Sequence, residues 1–304
     1  MAACTETSEG KAAAADLPLA KGLESRITRG RQAGQPQPAA TGWPQGLPMA
    51  RRWLRCGGFA AAALLLTACA GSFLEPRPSP LPMEQILDDR GCARTQAPAL
   101  LVLLPGVHMT PAEIEQQGFV SAVRQRGLAV DVVIAGTLLD HTRDGSVIRR
   151  LRAEVIAPAR AQGYRQIWLA GISLGAYLAL HYERSHPGEV QGLVLIAPYL
   201  GKRTLMQDIQ AAGGPNRWRQ QAMPPAADDI DYTLWSWLSA LPAGSPPVWL
   251  ATGREDRFAP EHKLLAELLP TDRVHTLPGG HDWLPWRSLW SHWLDRGLLP
   301  TVCP

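Results

Sequence analysis

The feature that most constrains this chain is a rhythm that starts near residue 98, where short apolar runs alternate with segments of helix length. The runs are ALLVLL at 99–104, AVDVVIA at 129–135, QIWLA at 166–170, VQGLVLIA at 190–197 and VWLAT at 248–252, with a sixth, more polar one at 273–277. Between and after them, residues 111–126, 146–162, 174–185, 260–269 and 283–296 suit helices. Pro111 stands near the first turn of the first helix, and Glu113 and Glu115 near its positive end. Pro158 should bend or end the second. Such alternation predicts an α/β fold, with a mostly parallel sheet of about six strands and helices on both faces. Residues 200–246 break the rhythm with Trp218, Trp235, Trp237 and the pair Pro224-Pro225. An insertion there reads as a small cap over the C-terminal ends of the strands, where such sheets place their sites.

Gly171-Ile172-Ser173-Leu174-Gly175 lies between the run QIWLA and the helix LGAYLALHYER. A serine that must project from a strand-to-helix turn needs a sharp bend, and flanking glycines let the backbone crowd without a Cβ clash. The helix that follows aims N–H groups at the site and favours negative charge. Serine is a weak nucleophile, so it needs a base, and the base needs an orienting acid. Gly253-Arg254-Glu255-Asp256 follows the fifth run and Gly279-Gly280-His281-Asp282 the sixth, so both leave the same sheet edge as Ser173. Asp256 is the expected acid, with Glu255 and Asp231 as alternatives, and His281 the expected base. His108, His141, His181, His186, His262, His275 and His292 lie outside that loop.

In these motifs and their order, residues 98–296 resemble the α/β-hydrolase superfamily. The resemblance implies Ser173 as nucleophile, Asp256 as acid and His281 as base, with no metal and no organic cofactor. It also implies an oxyanion hole of two N–H donors. One is Leu174; the other falls in Pro105-Gly106-Val107-His108, at Val107 or at His108. The chain lacks the HGGG form found in many lipases and esterases. The family core has two more strands ahead of the first run, which residues 70–97 are too short and too proline-rich to supply. Trp283, Trp286, Trp290 and Trp293 recur at spacings of three and four on the last helix, a packing stripe. Trp283 and Trp286 are also close enough to His281 in sequence to line a pocket.

The function this implies is hydrolysis of an ester-like acyl substrate, a small molecule, through an acyl-enzyme. Two other classes share the same features: thioesterase, amidase or acyl-transferase chemistry on this fold, and a surface protein that keeps the fold for binding alone. Charge gives no reason to expect nucleic acid as a partner. Residues 1–68 hold eight Lys/Arg and four Asp/Glu, which leaves 22 basic and 23 acidic residues in the rest of the chain.

The front of the chain reads as an address. Residues 1–48 are rich in Ala, Gly, Pro and Gln without hydrophobic periodicity, and cannot bury enough apolar surface to order themselves. From Met49, Arg51, Arg52 and Arg55 precede the apolar FAAAALLL and then Leu66-Thr67-Ala68-Cys69. A charged start, a short apolar centre and small residues before a cut define a secretion signal over 49–68. The run is too short to favour a membrane span. Leu-Thr-Ala-Cys resembles the bacterial lipobox, which implies cleavage before Cys69 and acylation of that residue. Met49 is then the expected start of translation, with 1–48 ahead of it. Ala70, where Asp would retain the protein at the inner membrane, points to the outer one. Residues 69–97 would be a tether between lipid and a hydrolase domain over 98–304. Cys92 and Cys303 remain at the two ends of the body and are expected to pair in an oxidising compartment.

Overall fold

The structure is a computed structural model, and it describes residues 81–304 apart from 94, 138–140, 143–144, 222–228 and 242–243. The expectations for residues 1–80, including the signal segment and Cys69, lie outside the described residues, as does Pro224-Pro225.

Strand β1 (Gln85–Asp88) comes first, then β2 (Ala99–Leu104), helix α1 (Pro111–Gln116), helix α2 (Phe119–Gln125) and β3 (Val130–Ala135). A composite helix follows: α3 (Val147–Arg150), a π-helical turn Leu151–Ile156, and α4 (Ala157–Ala161). Next are β4 (Gln166–Ile172), α5 (Leu174–Ser185) and β5 (Gly192–Ile196). The insertion carries α6 (Arg203–Ala211), α7 (Pro215–Gln221) and α8 (Ile230–Leu238). The chain closes with β6 (Val248–Gly253), α9 (Ala259–Ala266), β7 (Val274–Leu277) and α10 (Trp283–Leu294). The sheet order is β1-β3-β2-β4-β5-β6-β7, and every neighbouring pair is parallel except β1 with β3.

The central strands are almost wholly apolar because both faces are covered. Leu100, Val102 and Leu104 of β2 join one core layer, with residues of α5, α6, α8 and α9. Ala99, Leu101 and Leu103 join the other, with α2 and α10. β4, β5 and β6 divide their side chains in the same way.

Two expectations need correction. The sheet has seven strands rather than six, because β1 lies inside the segment assigned to the tether. It is a four-residue antiparallel edge strand whose Leu87 is exposed, so it carries no apolar run. It is held by its backbone ladder to β3 and by side-chain ties as well. Pro158 has no N–H to give to the carbonyl of Glu154, and the π turn re-pairs the helix, with the N–H of Ala157 reaching Arg152 O. Gln85 Nε2 donates to the freed Glu154 carbonyl at 3.3 Å, and the Met83 N–H donates to the Glu154 carboxylate at 2.7 Å.

The helix expected over 111–126 is two helices, since Gly118 adopts φ 84° between them. α1 keeps a full capping box between Thr110 and Glu113. The tryptophan stripe of α10 is mainly packing: Trp286, Trp290 and Trp293 are buried, and Trp290 Nε1 donates to Phe119 O at 3.0 Å.

A small polar network orders the insertion and ties it to the body through Tyr177. Buried Asp231 accepts the Tyr177 hydroxyl of α5 at 2.5 Å and the Lys202 N–H at 2.9 Å, and Trp235 Nε1 donates to Leu200 O at 2.9 Å. Burial and the Asp231 bond together hold the Tyr177 phenol far above its ordinary pKa, so it stays a donor. At the opposite end of the sheet, Cys92 and Cys303 form a disulfide with Cα atoms 5.8 Å apart. The Ala129 N–H donates to Pro300 O at 2.8 Å beside it. The last residues are thereby fixed next to the first strands.

Candidate active site

Ser173 occupies the turn between β4 and α5 with φ 52° and ψ −112°, a conformation that L-residues rarely adopt and that costs on the order of 1–3 kcal/mol. The crowding shows why its neighbours are glycines. A Cβ on Gly171 would stand 2.3 Å from the N of Ala176, and one on Gly175 would stand 2.0 Å from Leu104 O. The strained turn is over-determined by backbone bonds: Ser173 N donates to Ile196 O at 2.9 Å, and Ser173 O accepts from Tyr177 and Tyr199, both at 3.2 Å.

The loops after β6 and β7 are stitched to each other. Arg254 N donates to Leu277 O at 2.9 Å, Glu255 N to Gly279 O at 3.1 Å, and the Glu255 carboxylate accepts the Gly279 N–H. This register places His281 Nδ1 2.8 Å from Asp256 Oδ2 and His281 Nε2 3.0 Å from Ser173 Oγ. The carboxylate fixes the tautomer: Nδ1 carries the proton and donates to Asp256, which leaves Nε2 to accept from the serine hydroxyl. Asp256 Oδ1 also accepts the Phe258 N–H at 2.8 Å. Burial alone would raise the Asp256 pKa, but the bonds from His281 and Phe258 outweigh it and hold the carboxyl below its ordinary value. An ionised carboxylate thus faces the imidazole.

Two aromatic rings confine that imidazole. Phe258 lies 5.1 Å from it at 87°, and Trp286 lies 4.9 Å from it at 88°. Trp286 is buried, as is the Asp256 side chain, so the ring has little room to turn. Trp283 packs edge-on against both Trp286 and Phe119, one step removed from His281.

The structure separates the alternatives for the acid. Asp231 is committed to Tyr177 and Lys202, and Glu255 to Gly279. The loop after β2 lies against the Ser173 turn, since the Cβ positions of Gly175 and Gly106 fall beside Pro105 O and Ile172 O respectively. In that loop His108 has φ 61°, and neither Val107 nor His108 has an acceptor for its N–H among the described residues. The Leu174 N–H opens α5 and has no intrahelical acceptor. Among the described residues, no group of three or more His, Cys, Asp or Glu side chains is placed to hold a metal ion.

Phe258 and Tyr199 are site residues that the sequence reading passed over. Phe258 could have been noticed two places after Asp256. Tyr199 had no signal beyond its position just past a strand end. His262 is also part of this neighbourhood: it is buried behind Phe258 and its Nε2 bonds to Pro198 O at 2.9 Å.

No family model matches the chain, and no curated protein sequence matches it. Solved structures do. S-formylglutathione hydrolase from Staphylococcus aureus is 12% identical, covers 70% of this chain and 89% of its own, and superposes with a TM-score of 0.50. The fluorophosphonate-binding serine hydrolase F from S. aureus is 13% identical over 71% of this chain and 98% of its own, with a TM-score of 0.48. A monoacylglycerol lipase from Paleococcus ferrophilus is 15% identical over 70% and 98%, with a TM-score of 0.46. Identities this low speak for architecture alone. With the first of these superpositions, the sheet order and the strained serine turn between β4 and α5, the chain has the α/β-hydrolase fold.

Proposed function

We propose that this protein is a serine hydrolase that cleaves an ester-like acyl substrate through Ser173, His281 and Asp256. The observation that carries the reading is the unbroken run of hydrogen bonds from Ser173 Oγ to His281 Nε2, at 3.0 Å, and from His281 Nδ1 to Asp256 Oδ2, at 2.8 Å. His281 takes the hydroxyl proton as Ser173 Oγ attacks the carbonyl carbon. The oxyanion accepts from the Leu174 N–H and from Val107 N–H or His108 N–H. The tetrahedral intermediate collapses as His281 returns the proton to the leaving alcohol, and the acyl group stays on Oγ. Water, deprotonated by His281, then attacks the acyl-enzyme and frees the acid and Ser173. Asp256 stabilises the imidazolium in each half-reaction.

Ser173→Ala should lower the hydrolysis of p-nitrophenyl esters on the order of 10³-fold or more. A fluorophosphonate probe should label Ser173 in the parent. Equal turnover by parent and variant, or a folded parent that stays unlabelled, refutes the reading and favours a binding protein on the same scaffold.

We also propose that Cys69 is acylated and tethers the domain to the outer membrane, outside the cytoplasm. Support comes from the Leu66-Thr67-Ala68-Cys69 motif and from the Cys92–Cys303 disulfide, a bond that persists in oxidising compartments. Mass spectrometry of the mature N-terminus is the test: an unmodified residue upstream of Cys69 rejects the anchor.

A further inference from the structure

Helices α6 and α9 each begin just beyond the C-terminal end of a parallel strand, and they pack together around a cleft of about 260 Å³. At i, i+3 and i+7, Arg203, Met206 and Gln210 of α6 face Arg257, Pro260 and Leu264 of α9 and the turn before it. Both arginines therefore stand at the N-terminal ends of their helices, on the side nearest the strand ends. Neither forms an ion pair among the described residues. The N-terminal ends of two helices add positive field at the same mouth.

Arg257 links this cleft to the triad, since it directly follows Asp256 in the chain. The Arg257 guanidinium lies 4.9 Å above the Phe258 ring, and Phe258 lies 5.1 Å from the His281 ring, so the cation is within about 10 Å of the base. Further in, the wall includes buried Met206 and Leu264. Glu261, one turn beyond Arg257, also lines the cleft with its Oε2 buried and without a hydrogen-bond partner; its carboxylate opposes an anion beside it, so the anion's place is at the arginine end of the cleft.

We propose that this cleft is the subsite for an anionic oxyacid group, a carboxylate or a phosphate, carried on a short stem by the ester substrate. The inference rests on the serine-hydrolase reading and adds the substrate class to it. Guanidinium groups recognise both anions through paired N–H donors, and a concave wall focuses their field.

The test compares 4-nitrophenyl hexanoate with the mono-4-nitrophenyl ester of adipic acid, which has the same length and a terminal carboxylate. At low ionic strength the parent should show kcat/KM about fivefold or more higher for the anionic ester. In R203Q/R257Q the ratio should fall to about one, and R203Q alone, which leaves Phe258 untouched, should lower it part of the way. The ratio is insensitive to a general loss of activity. Adipate and glycerol 3-phosphate, tried as inhibitors of the parent, tell the two sources apart, since the tighter one names the group.

A parent that is indifferent to the carboxylate, or a double variant that keeps the preference, overturns the proposal. If the parent cleaves neither ester, the hydrolase reading fails, and the cleft is judged by calorimetric titration of adipate. Binding to the parent and not to R203Q/R257Q upholds the anion site; equal binding or none rejects it.

Discussion

Phe258 meets the imidazole of His281 at nearly a right angle, with ring centroids 5.1 Å apart, and its own N–H donates to the carboxylate that orients that imidazole. One residue therefore constrains the imidazole twice, through its ring and through its backbone. Substitution of the side chain removes only the first constraint. Phe258→Ala should lower kcat for simple esters about 10- to 100-fold through misplacement of the ring. Phe258→Leu, which refills the space, should recover most of it. The check is steady-state kinetics on both variants beside a thermal melt; a parent-like kcat in the alanine variant would show that Trp286 suffices.

Asp256→Asn separates charge from shape. The amide keeps the size of the side chain but can present its NH₂ to Nδ1, which pushes the imidazole proton to the nitrogen that should accept from Ser173. A fall in kcat of about 10⁴-fold is expected, with KM little changed. Glu255→Gln should have no comparable effect, because that carboxylate holds the Gly279 N–H and not the histidine. If the two variants are equally impaired, the assignment of the acid is wrong.

The sequence exposed the parts of this site that depend on local patterning. A strand, a glycine-flanked serine and a helix make a turn whose strain is dictated within five residues; Asp256 follows an apolar run, and His281 follows a short mixed one at its place in the same rhythm. The second half of Gly171–Gly175 is the clearest case, since Gly175 is required by contact with Leu104 O, on a strand known from its own run. β1 was illegible for the opposite reason. Its four residues bury little, and what holds it is tertiary: the antiparallel ladder to β3, the Asp88–Arg124 ion pair and the bond from Gln85 to a carbonyl some 70 positions away, none of which has a local signature. Phe258 and Tyr199 were missed because an aromatic residue near a motif looks the same whether it packs in the core or against the base. The break at Gly118 was open to reading, but glycine within a helical pattern is tolerated often enough not to force one.

Two buried histidines make stability fall in mild acid. Burial pushes His181 and His262 down from 6.5 to about 4. Between those values the unfolded chain takes up the protons and the native protein does not. Stability is therefore fully present above about pH 6.5 and is lost as pH falls toward 4. Each site contributes a slope of about 1.4 kcal/mol per pH unit within that window. His181→Phe should remove one proton's share of the slope. It should cost little at pH 7.5, because His181 Nε2 is buried without a hydrogen-bond partner. Urea midpoints for the parent and this variant from pH 4.5 to 7.5 measure both statements; parallel curves would place the protons elsewhere.

The Cys92–Cys303 bond closes a loop across a sequence separation of 211, nearly all of the described domain. A link this long restricts the unfolded chain strongly, by on the order of 5 kcal/mol in the chain-entropy picture, while removal of a native bridge costs about 2–5 kcal/mol. Cys303 belongs to an exposed tail and the bridge lies at the end of the strands away from Ser173, so its loss should act on stability and not on chemistry. Cys92→Ser/Cys303→Ser, or the parent under a reductant, should unfold at lower urea by an amount within that range and show an unchanged kcat at 25 °C. The tail offers an internal control. The Ala129–Pro300 backbone bond remains in the double variant, so protease nicking should begin beyond residue 300 before β3 is disturbed. A loss of kcat that parallels the loss of stability at a temperature where the variant is fully folded would mean that the disulfide end and the serine end of the sheet are coupled.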